Sequence, residues 1–314
     1  MASTLSLAAR PTKGSAPHVA SPQRRAAFII ALVGIMVVAV SAIGNLVVAD
    51  NLPAQATGTA WAFGVGVTGL GILKLAIAAA LVGIIIRLWY RVDSVTTALT
   101  RIIGTVPAGE RTSGTIETDA GTADVSTTAP DELPIHKMAR LVWAPVLAMG
   151  AMALVVGLIL GFVAAAQPAG SASFNQAWAW TQGTLFLGEG LLLSGISLLL
   201  GTILGGLRKG GAEVQQAVGA SVETLRMPAS AKAFIGLMAV GMMAAIVQFV
   251  FYAVLASQHA GDPATFAVWS AWLNPFREVA LGMLLSGVVL ALFTISKVLG
   301  FQFSRIRELL AQAA

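Results

Sequence analysis

Cysteine is absent from this chain of 314 residues, which excludes disulfides, thiolate metal sites, iron–sulfur clusters, covalent haem attachment and thiol nucleophiles. Histidine is nearly absent. His18, His136 and His259 all fall in expected tails or loops, so no imidazole stands inside an apolar segment to ligate haem or a metal pair. P-loop, GxSxG, HExxH and paired-carboxylate patterns are missing as well. No residue is therefore assigned a catalytic, cofactor-binding or metal-ligating role, and the expectation is a non-enzymatic protein with no cofactor.

Charge is equally scarce. Only 11% of residues are Asp, Glu, Lys or Arg, against about 25% in ordinary globular domains. What fills the chain is hydrocarbon: 57% of residues are hydrophobic and the mean hydropathy is +0.83. The apolar residues gather near 26–49, 62–90, 140–166, 178–207, 233–257 and 266–299. Each run exceeds the roughly 20 residues that cross a bilayer. Spanning backbone must satisfy its own amides, and no alternating pattern points to strands, so the fold class is an all-α integral membrane protein.

The net charge of +5 does not suggest nucleic acid, because the cations flank apolar runs instead of forming one basic surface. Arg10, Lys13, Arg24 and Arg25 precede the first run. Arg91, Arg101, Arg111, Lys137 and Arg140 separate the second from the third, while Arg208, Lys209, Arg226 and Lys232 separate the fourth from the fifth. Lys297, Arg305 and Arg307 close the chain. The three intervening loops, near 50–61, 167–177 and 258–265, hold no Lys or Arg. The positive-inside rule then puts both termini in the cytoplasm. Trp61, Trp178, Trp180, Trp269 and Trp272 mark the opposite interface. The membrane expected is the bacterial cytoplasmic (plasma) membrane, with an organellar membrane as the alternative.

Six runs make three tandem helical hairpins with an internal repeat. Residues 192–203 (LLSGISLLLGTI) agree with 284–295 (LLSGVVLALFTI) at eight of twelve positions. Glycines Gly34, Gly150 and Gly241 recur in the odd runs, and Gly83, Gly195 and Gly287 in the even ones. Their offsets agree closely, at 116 and 112 from the first hairpin to the second, and 91 and 92 from the second to the third. Small residues admit close backbone approach, so these six are expected to make helix-packing contacts within each hairpin. The organisation expected is a basic disordered tail over 1–25, repeat 1 with a cytoplasmic helical extension over 26–106, and a Gly/Thr/acid-rich disordered linker over 107–137. Repeat 2 with its extension covers 138–228, and repeat 3 with a short terminal helix covers 229–314. Even runs exceed one crossing, and Asn274-Pro275 suggests that the sixth helix restarts there.

Apolar stripes at Val92, Val95, Leu99, Ile102 and Val106, at Val214, Val218, Val222 and Leu225, and at Ile306, Leu309 and Leu310 suggest cytoplasmic helices. They are expected to pack on one another or on the membrane, or to dock a protein partner. The bilayer itself is the other partner. Inside the runs, Lys74, Arg87, Glu189, Arg277 and Glu278 need explaining, since charge within a bilayer is costly. Arg87 can snorkel toward Arg91. Lys74, Glu189, Arg277 and Glu278 form the candidate intramembrane network, as a structural clasp, an aqueous path or a face toward a partner. Two functions follow: a structural or accessory subunit of a larger membrane complex, or a small-solute or ion transporter using Lys74, Glu189 and Glu278.

Overall fold

The computed structural model describes residues 20–49, 55–103, 115–118, 121–126 and 134–313. Six long helices dominate: α1 (Ala20–Ala49), α2 (Gln55–Ile103), α3 (Pro134–Ala165), α4 (Ala172–Ala217), α5 (Ala229–Gln258) and α6 (Pro263–Ala313). All six are long and apolar enough to cross a membrane, and this is a membrane protein. Odd helices run 30–32 residues and even ones 46–51. At 1.5 Å per residue the even helices reach about 70 Å, far beyond a hydrocarbon core of about 30 Å.

Helix starts follow local chemistry. Ser171 caps α4, its Oγ accepting the Phe174 amide at 3.1 Å. Asp262 caps α6 by accepting the Ala264 and Thr265 amides at 3.1 and 3.3 Å, with Pro263 in the first helical position. The Thr265 hydroxyl donates to the other Asp262 oxygen at 2.7 Å. These bonds hold the Asp262 carboxyl below the usual carboxylate range, the Thr265 hydroxyl contributing most. Contrary to expectation, α6 does not restart at Asn274. It continues through Pro275, and the buried Gln248 side chain on α5 donates to the Leu273 carbonyl just before the proline, at 2.8 Å.

Sequential helices pair as hairpins, α1 with α2, α3 with α4 and α5 with α6. The centre is α4, which also packs against α2, α5 and α6. In its apolar window 78% of residues are buried, against 17–39% in the other five helices. That difference makes α4 the protein-lined core and leaves the other five helices mostly exposed. Around α4, helices α2 and α6 barely touch, α3 and α5 touch no more than they do, and α1 packs mainly on α2.

At the basic end of the bundle the extensions of α2, α4 and α6 meet. Leu99, Val214, Val218 and Leu309 are buried together there with Ala220 and Ile306. Ile102 remains exposed at 72%, and Val106 lies outside the described residues. The α4 stripe is shorter than expected: the helix stops at Ala217, so Val222 and Leu225 are not helical. Gly219, at φ 74°, turns the chain. Its amide returns to Gln216 O and the Ala220 amide to Gln215 O, both at 3.0 Å, closing the helix with its last carbonyls satisfied.

The 107–137 linker also departs from expectation. Strands β1 (Thr115–Thr118) and β2 (Gly121–Ser126) pair antiparallel, β2 adds the short β3 (Thr224–Leu225), and α3 begins at Pro134. Composition averaged over the segment hides its β-branched positions, Thr115, Ile116, Thr118, Thr122 and Val125, which favour extended backbone. His136 accordingly lies in the first turn of α3 and not in a loop. The expected tail over 1–25 falls mainly outside the described residues.

Candidate intramembrane charge site

Three of the four candidate charges come together. Glu189 on α4 receives Lys74 Nζ of α2 on Oε1 at 2.6 Å, and Arg277 Nη2 of α6 on Oε2 at 2.7 Å. Its side chain is 3% exposed, those of Lys74 and Arg277 17% and 21%. One carboxylate therefore joins all three even helices, with each oxygen engaged by a different cation. In a poorly polarisable surrounding such charge-assisted bonds are short and strong.

Aromatic rings complete the arginine's environment. The Arg277 guanidinium carbon lies 5.4 Å from the Phe63 ring centre and 5.7 Å from that of Phe186. Phe186 precedes Glu189 by three residues and shares its face of α4, so ring and carboxylate reach the same guanidinium. A planar, delocalised cation suits this position better than an ammonium, because it bonds in its plane while its faces meet the rings.

Glu278 is the exception. It is exposed, and the expected four-member network contracts to three. Successive helical residues point about 100° apart, so of Arg277 and Glu278 only one can face α4. The repeat register pairs Lys74 with Glu278, and the structure uses the residue beside it. The Arg87 side chain lies outside the described ones.

The glycines act as recesses for leucines of the partner helix. Gly34 lies against Leu73, Gly150 against Leu192, Gly195 against Leu147 and Gly241 against Leu284. Gly287 faces Leu237 and the Met238 backbone, and Gly83 is half-buried. At Gly150 an added methyl would sit 3.0 Å from the Leu192 backbone nitrogen, so only glycine permits this spacing. Hairpins two and three use matching positions: Leu192 and Leu284 are equivalent, as are Leu147 and Met238. The first hairpin departs, since the register would place Ala80 where Leu73 stands.

No family model, curated protein or solved structure matches the chain. Among the described residues, no group of three His, Asp or Glu side chains is placed to hold a metal ion.

A second charge cluster, missed in the sequence, lies at the basic end. Glu223 and Arg305 are 1% and 5% exposed and approach to 3.3 Å. Arg305 also reaches Glu308 Oε2 at 2.8 Å, the Ser221 carbonyl at 3.3 Å and Gln215 Oε1 at 3.3 Å. Gln215 in turn accepts the Glu223 amide at 2.9 Å and donates to its carbonyl at 3.0 Å. Arg305 reads in sequence as one more flanking cation. Its burial depends on the α4–β3 connection folding back over α6, which no local pattern announces. A cavity of about 70 Å³ adjoins this cluster, lined by His136, Arg208, Glu223, Thr294 and Phe301 among others.

Proposed function

We propose that this protein is a non-enzymatic structural or accessory subunit of a larger membrane complex, built from three repeated hairpins with both termini in the cytoplasm. The observation that carries the reading is Glu189, whose oxygens are engaged at 2.6 and 2.7 Å while its side chain is 3% exposed. A carboxylate closed off in this way acts as a pin fixing the register of α2, α4 and α6. A solute or proton pathway needs at least intermittent access of water to that group.

Further support comes from packing and charge. The equivalent glycine–leucine contacts of hairpins two and three favour a repeat. Cations at one end of the bundle and five of the seven tryptophans toward the other favour the stated orientation. The bacterial cytoplasmic membrane is the proposed location. Broad apolar faces, with Ile29, Leu141, Met152 and Val289 each more than half exposed, offer ample area for lipid or companion helices.

Purification from native membranes in mild detergent, together with reconstitution into vesicles, tests this. The expected result is a constant stoichiometric assembly and no solute or ion flux above empty vesicles. Flux abolished by Glu189→Gln, at an unchanged amount of folded protein, would overturn the subunit reading in favour of a permease.

A further inference from the structure

The charges of the clasp do not cancel. One carboxylate, Glu189, faces two cations, Lys74 and Arg277. The surplus positive charge lies beside the open seam where α2 and α6 barely touch. Lys74 and Arg277 keep 17% and 21% exposure, and Leu70 and Ile77 stand exposed next to Lys74 on α2. A cation within a bilayer attracts a countercharge strongly, since no bulk water screens it.

The complementary group is on the same chain. Glu278 is exposed on α6, in a stripe with Pro275, Gly282, Leu285 and Val289 that is otherwise uncharged. A lone carboxylate turned to lipid is costly. Arg277 and Glu278 are consecutive, so their depths differ by only about 1.5 Å. All copies of a chain share one orientation in a membrane, so acid and surplus cation lie at matching depth in any two of them. Gly282, one turn beyond Glu278, has open space around it: a methyl added there would meet nothing within 4 Å. That notch admits a neighbouring helix beside the carboxylate.

We propose that the chain pairs with a second copy about a twofold axis along the bilayer normal. Each Glu278 enters the other copy's α2–α6 seam beside Lys74 and Arg277. This rests on the subunit reading and names the partner as the chain itself. The occupant is a protein helix and not a lipid headgroup, because the seam's cations and the exposed acid complement one another at one depth.

The natural lack of cysteine makes the test direct. Full-length Gly282→Cys and Ile77→Cys variants, both keeping Glu278 and carrying different tags, are co-expressed and oxidised in native membranes. A disulfide-linked heterodimer is expected, since Gly282 and Ile77 lie about one turn past Glu278 and Lys74. None is expected between Gly282→Cys and Phe162→Cys, which sits on the exposed side of α3. Subunit counting in lipid nanodiscs is expected to give dimers for the natural chain. Glu278→Gln is expected to associate on the order of tenfold more weakly, with the thermal unfolding of its monomer no lower than that of the natural chain's monomer.

Monomers at all densities, or cross-linking indifferent to cysteine position, would overturn the proposal. So would retention of an anionic lipid at the seam of a monomer. A stoichiometric foreign membrane protein cross-linked at Ile77→Cys would overturn self-pairing and leave the subunit reading standing. A monomer without any companion would sink both.

Discussion

Replacing Glu189 with glutamine would leave Lys74 and Arg277 facing one another without the anion that reconciles them. Breaking a buried ion pair by removing one partner costs about 3–5 kcal/mol. Glu189→Gln should therefore lower the unfolding free energy in mild detergent by about that much, and Lys74→Met should cost less, because Arg277 still neutralises the carboxylate. Asp262 gives a gentler, titratable case. Its carboxyl is held below the usual carboxylate range by the Thr265 hydroxyl and the Thr265 and Ala264 amides. A group depressed in the folded state stabilises above its unfolded pKa and loses that contribution as pH falls through the folded value. Amide exchange at Ala264 and Thr265 should thus be protected at neutral pH and rise on strong acidification relative to the acid-dependent intrinsic rate. Asp262→Ala should remove the protection at every pH.

The need for Glu189 to find a cation was legible in the sequence, since charge inside an apolar run must be paired. The choice of Arg277 over Glu278 was not, because a one-residue shift in register rotates the helix surface by about 100°. The even runs were legible as overlong. That α6 passes straight through Pro275, with Gln248 of α5 donating to the Leu273 carbonyl beside it, was not. Glu223 and Arg305 were illegible as well: each is ordinary locally, and only the return of the α4–β3 connection over α6 buries them.

At the scale of elements, glycine recesses set the distance between hairpin partners. Gly150→Ala should force α3 away from the Leu192 backbone and cost about 1–3 kcal/mol, as overpacking does. Gly236 on α5 provides the contrast. It is exposed and nothing lies within 4 Å of an added methyl, so Gly236→Ala should be neutral or stabilise by roughly 0.5–1 kcal/mol through helix propensity. Paired unfolding curves of the two variants check whether close approach, and not glycine content, is what the hairpins require.

For the whole molecule, orientation is the property most open to direct measurement. Single cysteines at Ser173 and at Ala311, each in the otherwise cysteine-free chain, should react with a membrane-impermeant maleimide from opposite sides. Ser173→Cys should label from outside intact cells and Ala311→Cys only after the membrane is opened. The reverse pattern would invert the proposed topology while leaving the six helices as described.

The central position of α4 also bears on the order in which the protein is made. Synthesis delivers α1 to α4 before α6 exists, so Glu189 enters the bilayer when Lys74 is already present and Arg277 is not. The lysine is then the nascent chain's first neutraliser, and the arginine locks a carboxylate that has already been escorted into place.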